Sequence, residues 1–519
     1  MRESLQHPEF YTLSPSDKEK LDKIKGLKEI LLPEGLTNSK LLPLQTVAVA
    51  YQAVAKRYLL HAHVGFGKTI TSIASAILGV FQKTVNKVLI VAPSSSLRQF
   101  AEEIKKETDT VPLIIDGTPE RRAKQMEKIK HSLFSMISYA VLQDDLGALL
   151  DQKWDLIIFD ECTVFKNKPV PFSKKVGNDI KWDWRPKVSI CAKALCRAVP
   201  QVIFLSGTPL HNNIVEIYWL ISLLDPTIFG KYDDFLDVYC NVKEKKIRRG
   251  FQTITVKKIT LKPEKASEIR ELIKYRVLSI GEQDSGIKSG EANYIYEWIE
   301  LTPEQRKRCD EVKAGVLSQG PNQRPIDLLA RLVYQLEICN AVSLVDPSCS
   351  DPSPKVDKIR ELIKTKYSNE KLVIFSNFTA MTQRIIRMLD EEKIPHFEIV
   401  GKMTANAKNE ARKKFRDCSY AVMIISTAGE MGLNLQSAGV MIIVDRLYNP
   451  SRMTQIVGRI KRQGQKRERV DIVNLIMKDS VEEYVLNILR AKKELYDFIF
   501  GKKGKEMDKK KLLYAVLTK

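Results

Sequence analysis

Trp154-Asp155-Leu156-Ile157-Ile158-Phe159-Asp160 is an unbroken apolar run closed by an acid. A strand wet on one face alternates apolar and polar residues. A run without alternation suits a strand covered on both faces, as in parallel sheets. Similar runs lie upstream, Lys87-Val88-Leu89-Ile90-Val91-Ala92-Pro93, and downstream, Gln201-Val202-Ile203-Phe204-Leu205-Ser206. Helical stretches, residues 69–82 and 97–107 among them, separate the runs. Strand and helix in alternation predict a doubly wound α/β domain.

Just before the first of those helices stands Ala62-His63-Val64-Gly65-Phe66-Gly67-Lys68-Thr69. Glycines let backbone N–H groups wrap a phosphate chain, a lysine reaches its terminal phosphates, and a threonine hydroxyl holds Mg²⁺. The helix that follows points its positive end at the anion. Position 62 is Ala where the strict pattern has Gly, and alone the segment also suits a glycine turn beside a chance lysine. The acid that closes the opening run narrows the choice. In such a sheet it lies beside the phosphate loop. Asp160 is expected to join Thr69 in holding Mg²⁺, and Glu161 to orient and deprotonate a water. By themselves the two acids also read as an ordinary exposed turn.

The pattern begins again at Lys371-Leu372-Val373-Ile374-Phe375-Ser376. Ala421-Val422-Met423-Ile424-Ile425-Ser426 and Gly439-Val440-Met441-Ile442-Ile443-Val444-Asp445 continue it, without a second phosphate loop. This half carries Gln455-Ile456-Val457-Gly458-Arg459-Ile460-Lys461-Arg462-Gln463-Gly464-Gln465. Arg459 and Arg462, three apart, are expected on one helical face. Guanidinium groups reaching a nucleotide from another domain stabilise the transferring phosphoryl group. The alternative is a solvated basic helix end.

The bulk numbers agree with an intracellular, multidomain protein. The chain has 519 residues and 44% hydrophobic content, enough for several cores. No apolar run is long enough for a bilayer, and residues 1–11 show no signal-peptide pattern. A cytoplasmic location is expected. The eight cysteines include no Cys-x-x-Cys pair, so free thiols in a reducing compartment are expected and structural zinc is not. The net charge of +21 points to a polyanion partner, or to a lysine-rich surface kept for solubility. Residues 241–262 hold eight Lys or Arg against one Glu, and residues 501–519 seven Lys against two acids.

Taken in order, these segments resemble the SNF2 family of superfamily 2 helicase-like ATPases, from about residue 41 to about residue 498. Leu42-Pro43-Leu44-Gln45 resembles the segment whose glutamine reads adenine, and residues 62–69 match motif I. Ala92-Pro93-Ser94 resembles motif Ia and Ile137-Ser138-Tyr139 motif Ib. Asp160-Glu161-Cys162-Thr163 with Lys166-Asn167 resembles motif II, although the family usually has Ala-His after the acids. Residues 205–213, 375–378, 426–435 and 455–465 resemble motifs III, IV, V and VI. Lys408 stands about where the family tends to carry arginine. Residues 169–186, with Trp182, Trp184 and several lysines, are longer than the family usually needs. They read as a base-stacking element or as a packed surface loop.

The resemblance implies two RecA-like doubly wound parallel-sheet lobes with helical insertions. Residues 1–40 are an accessory segment and 41–224 the ATP-binding lobe. Residues 225–354 are helical protrusions and linker, 355–479 the second lobe, and 480–519 a C-terminal helix and basic tail. ATP with Mg²⁺ is expected between the lobes, on Gln45, residues 62–69, Asp160 and Glu161, with Gln455, Arg459 and Arg462 from the second lobe. Ser94, Ser138, Asn377 and Thr427 are expected to hold DNA phosphates without reading sequence. The activity implied is an ATPase that translocates on duplex DNA and remodels it. The compact length suits branched DNA, such as forks, and a bacterial or viral source. Displacement of bound proteins and an ATP-gated clamp are the alternatives, with RNA a weaker choice of track.

Overall fold

A computed structural model describes residues 7–487 other than 64, 166–169, 177–178, 186, 208–213, 250–251, 282–283, 285–290, 320–321, 326–327, 350–351, 402, 428–434, 448–449 and 462–464. The chain divides into two compact units, one built mainly from residues up to 287 and one mainly from residues 288–494.

The first unit is a seven-stranded sheet. Its strands are β1 Arg57–Ala62, β2 Val88–Ala92, β3 Leu113–Ile115, β4 Phe134–Ser138, β5 Leu156–Phe159, β8 Gln201–Ser206 and β11 Val277–Ile280; β6 Val170–Val176 pairs with β7 Asp179–Arg185, and β9 Cys240–Arg249 with β10 Gln252–Leu261, as separate hairpins. The order is β11-β1-β8-β5-β2-β4-β3, and every pairing is parallel. Alternation sends neighbouring residues to opposite faces. Tyr58, Leu60, Leu156, Ile158, Ile203 and Leu205 join one core, while Leu59, Ile157, Phe159, Val202 and Phe204 join the other. Helices α1 Pro15–Gly26, α2 Pro43–Ala55, α3 Lys68–Phe81 and α4 Leu97–Glu107 cover the first core. Past the short α5 Pro119–Met126, the helices α6 Leu146–Leu150, α7 Lys187–Ala198, α8 Val215–Leu224, α9 Tyr232–Tyr239 and α10 Ala266–Ile273 cover the second.

The N-terminal stretch is more than an appendage. Ser14 and Asp17 form a capping box that starts α1, and Leu21 and Leu36 are buried. Leu32, Leu36 and Leu41 pack against α2 and α3. At the foot of β1, Arg57 is fully buried. Its guanidinium donates to the carbonyls of Cys196, Val199, Leu223 and Leu224, at the C-terminal ends of α7 and α8. The cation there meets the negative ends of two helix dipoles.

The second unit has a six-stranded sheet of β12 Glu291–Ile299, β15 Leu372–Phe375, β16 His396–Ile399, β17 Val422–Ile425, β18 Val440–Ile443 and β19 Arg469–Met477. Its order is β12-β19-β18-β15-β17-β16, again all parallel. Helices α11 Pro303–Ala314 and α12 Leu328–Asn340 precede the covering helices. Of these, α13 Pro354–Lys364 and α14 Thr379–Glu391 cover one face, α15 Ala405–Asp417 and α16 Pro450–Val457 the other. Both lobes therefore have the α/β class expected.

Residues 225–354 differ from the helical protrusions and linker expected. They hold β11, which joins the first sheet, and β12, which joins the second. They also hold a hairpin of β9 Cys240–Arg249 and β10 Gln252–Leu261, and a short one of β13 Val316–Gln319 and β14 Asn322–Pro325. The Thr, Ile and Val content of residues 252–261 favours strand over helix, and the lysines and arginines around it obscure that signal. The insertion with two tryptophans is also a hairpin, β6 Val170–Val176 paired with β7 Asp179–Arg185.

Candidate nucleotide site

The loop after β1 takes its shape from its glycines. Gly65 and Gly67 have φ of +91° and +84°, the left-handed region that side chains with a Cβ avoid. At Gly67 a Cβ would also lie 2.5 Å from the Gln45 Nε2. Gly67 is the N-cap of α3, so Lys68 and Thr69 open the helix and its positive end faces the loop. Ala62, the departure from the strict pattern, is fully buried at the end of β1. The Lys68 ammonium donates to the carbonyls of Ala62 at 2.9 Å and His63 at 3.3 Å. It sits folded over the loop that it would share with a phosphate chain.

Gln45 holds this loop from below. It is buried, its Oε1 accepts from the Leu42 N–H at 2.7 Å, and its Nε2 donates to the Phe66 carbonyl at 2.7 Å. Both ends of the amide are engaged inside the protein. Reading adenine through this side chain would need the remaining amide proton or an exchange of one of these bonds.

The acids lie at the end of β5. The Asp160 N–H donates to the Val91 carbonyl at 2.9 Å, and the Tyr139 hydroxyl donates to the Asp160 carbonyl at 2.7 Å. Burial, then the Glu161 carboxylate beside it, pushes the Asp160 carboxyl up to about 7, while the Lys68 ammonium and the Ser96 hydroxyl act the other way. The Lys68 ammonium thus acts electrostatically on the Asp160 carboxyl. Glu161 has φ of +49°, a strained setting for a residue with a Cβ, costing about 1–2 kcal/mol. The unusual Cys162 is fully buried in the core with Phe165. A thiol there acts as a small apolar group. Burial raises its pKa well above the ordinary thiol range, so it stays a thiol.

The donor set fits Mg²⁺ and a nucleotide. Two adjacent carboxylates and the Thr69 hydroxyl offer hard oxygen ligands. Both acids are half-buried, and the loop has glycine, with no side chain, at positions 65 and 67.

In the second unit, Asn377 is exposed and Thr427 half-buried, both at loops that follow strands β15 and β17. In the first, Ser94 is exposed, but Ser138 is buried at the end of β4. Gln455 lies on α16. Arg459 falls in the turn after α16 ends at Val457, not on a helical face as expected. There its carbonyl accepts from the Leu435 N–H at 3.0 Å, and the Gln465 amide bridges the carbonyls of Ala438 and Ile460. These bonds tie the end of the motif V segment to motif VI. Val64, Arg462, Lys166, Asn167, most of motifs III and V and the tail after residue 487 lie outside the described residues. Ser96 was not singled out from sequence, and Tyr139 and Gln465 were quoted only as motif members, since their roles depend on which loops the sheet brings together.

The SNF2-related domain matches residues 45–278, and the helicase conserved C-terminal domain residues 354–464. Together they cover about two-thirds of the chain. The chain belongs to the SNF2 family of superfamily 2 helicase-like ATPases. Membership makes it an ATP-hydrolysing enzyme by class. The Bacillus subtilis protein named "Uncharacterized ATP-dependent helicase YqhH" is 25% identical, over 95% of this chain and 85% of its own. The Mycoplasma genitalium "Uncharacterized ATP-dependent helicase MG018" is 24% identical over 84% of this chain, and the Saccharomyces cerevisiae "Nuclear protein STH1/NPS1" 26% over 93%. This chain spans only 40% and 36% of those two proteins. Among solved structures, the "Sulfolobus solfataricus SWI2/SNF2 ATPase core in complex with dsDNA" superposes with a TM-score of 0.42 at 21% identity, covering 92% of this chain and 96% of that one.

The SNF2-related match begins at Gln45 and ends in β11. It therefore spans Gln45, the loop, α3 and the acids after β5. The C-terminal match begins at the first residue of α13, leaving β12, α11 and α12 between the two. Among the described residues no helix is long and apolar enough to cross a membrane.

Proposed function

We propose that this SNF2-family ATPase uses ATP to move along duplex DNA and remodel it, with branched DNA such as forks as its favoured substrate. The observation that carries the reading is the placement of Lys68, just after β1, and of Asp160 and Glu161, just after β5, at the C-terminal ends of parallel strands of one sheet, in a chain matched by both SNF2-type domains. The charge of +21 supports a polyanionic track.

When ATP binds, its phosphates take the place of the Ala62 and His63 carbonyls at the Lys68 ammonium. The loop N–H groups and the start of α3 face the same anion. Thr69 and Asp160 would hold a Mg²⁺ ion, which would supply positive charge beside the phosphates. Glu161 orients the attacking water and accepts its proton. In the second unit, Gln455, Arg459 and Arg462 are the candidates for the same reaction, since guanidinium groups can stabilise charge on a transferred phosphoryl group. Gln45 holds the loop and faces the base. Ser94, Ser138, Asn377 and Thr427 hold DNA phosphates, and repeated closure and release moves the protein along the strand.

ATPase stimulation by linear duplex, forked duplex, single strands and RNA tests the track. Stimulation by duplex DNA, highest on forks, is expected; stimulation by RNA alone would refute it. Triplex displacement with ATP tests movement. DNA-stimulated hydrolysis without displacement would favour a clamp, and removal of a bound protein without fork preference would favour roadblock clearance. Lys68→Ala should abolish hydrolysis in every assay.

A further inference from the structure

A second buried polar cluster lies in the second unit, among residues the nucleotide chemistry does not use. Lys355, at the start of α13, is fully buried. Its ammonium makes three bonds: to the Asn340 Oδ1 at 3.0 Å, the Val444 carbonyl at 2.7 Å and the Glu482 Oε1 at 2.5 Å. Glu482, in the helix of residues 481–487, also accepts from the Met477 N–H through Oε2 at 2.9 Å. The adjacent Asp445, 1% exposed, accepts from the Asn377 N–H through Oδ1 at 2.7 Å and from the Ser376 hydroxyl through Oδ2 at 2.5 Å. The Asn340 amide reaches the same Oδ2 at 3.5 Å.

This is costly ground for charge. One cation and two carboxylates are buried together, so the cluster holds a surplus negative charge when all are ionised. Such a cluster is stable only when its hydrogen bonds are satisfied, and here each of the three charged groups has at least two partners. Apolar side chains would serve packing more simply. What the charges add is direction. The Asp445 carboxylate fixes the backbone at Asn377, whose own residue is exposed. The Glu482 carboxylate fixes the first turn of the 481–487 helix to the same lysine.

We infer that Asp445 is the positioning residue of the nucleic-acid grip at Asn377, and that the Lys355–Glu482 pair makes that grip depend on the C-terminal helix. The inference rests on the reading of Asn377 as a nucleic-acid contact. Asp445→Asn keeps the volume but presents an amide N–H₂ to one of two donors, so the Ser376–Asn377 turn loses an acceptor. Glu482→Gln acts on a helix remote in sequence from the grip and removes one of the anions held by Lys355.

The test measures ATPase with and without linear duplex DNA. Asp445→Asn should raise the DNA concentration for half-stimulation at least tenfold, with DNA-free ATPase within twofold of the parent. Glu482→Gln should raise it about threefold, again sparing the DNA-free rate. If DNA-free and stimulated rates fall in step, or if Glu482→Gln leaves half-stimulation unchanged, the inference fails. Asn377→Ala separates the two levels. If it leaves half-stimulation unchanged, the reading of Asn377 fails instead.

Discussion

Gln45→Ala tests whether the glutamine chiefly reads the base or chiefly builds the loop. The structure gives it two bonds of 2.7 Å, to the Leu42 N–H and the Phe66 carbonyl. Truncation strands the Phe66 carbonyl in a buried setting, costing about 1–3 kcal/mol. It also removes the reciprocal bond at the start of α2, about 1 kcal/mol. Alanine's better helix propensity returns a few tenths. The sum is about 2–4 kcal/mol, and the Phe66 part falls on the nucleotide loop itself. At about 1.4 kcal/mol per tenfold, a 2 kcal/mol loosening of the loop lowers nucleotide affinity about thirtyfold. Because the loop holds phosphates, ATP and GTP should weaken alike. The assay is KM for both nucleotides, with thermal unfolding alongside. A loss confined to ATP, with the melting temperature unchanged, would refute the loop argument and make Gln45 a base reader.

Further outcomes follow from the same geometry. Glu161→Gln should keep ATP binding, read by a fluorescent analogue, and lose at least about a hundredfold in turnover. Gly67→Ala places a Cβ 2.5 Å from the Gln45 Nε2 at φ +84° and should weaken ATP binding tenfold or more. Gly147→Ala, with nothing within 4 Å of the new Cβ, should gain about 0.4–1 kcal/mol in urea unfolding. Burial pushes the Asp445 carboxyl up to about 6, with Lys355, Ser376 and the Asn377 N–H opposing. A folded pKa above the unfolded one favours folding at low pH, so the contribution is complete below about 4 and is lost as pH rises through about 6. Against Asp445→Asn, the parent should lose up to about 3 kcal/mol over that window in urea titrations; a gap independent of pH would refute the burial argument.

The unbroken apolar runs were readable because a strand buried on both faces needs little else. Gln201–Ser206 is a strand over the stretch predicted, and the other runs lose one or two residues at their ends. The strand leading into the phosphate loop was less visible. Arg57 and His61 interrupt its apolar pattern, yet both are buried, Arg57 on helix-end carbonyls and His61 against the Ser279 hydroxyl. Those partners come from 142 and 218 residues away, beyond any local period. The hairpin of residues 240–261 was hidden by its charge, and the turn at Arg459 by the helical pattern before it. For the site, residue types and order revealed Lys68, Asp160 and Glu161. The double use of Gln45 and the Asp445 tie to Asn377 depend on contacts between distant segments.

Arg57 has a mechanical consequence. It begins the strand whose other end is the nucleotide loop, and it anchors that beginning to four carbonyls on two helices. A strand of six residues held this firmly at its base behaves as a post in a footing. The strand's fixed end is thus the one remote from the loop, and any adjustment is left to the loop end.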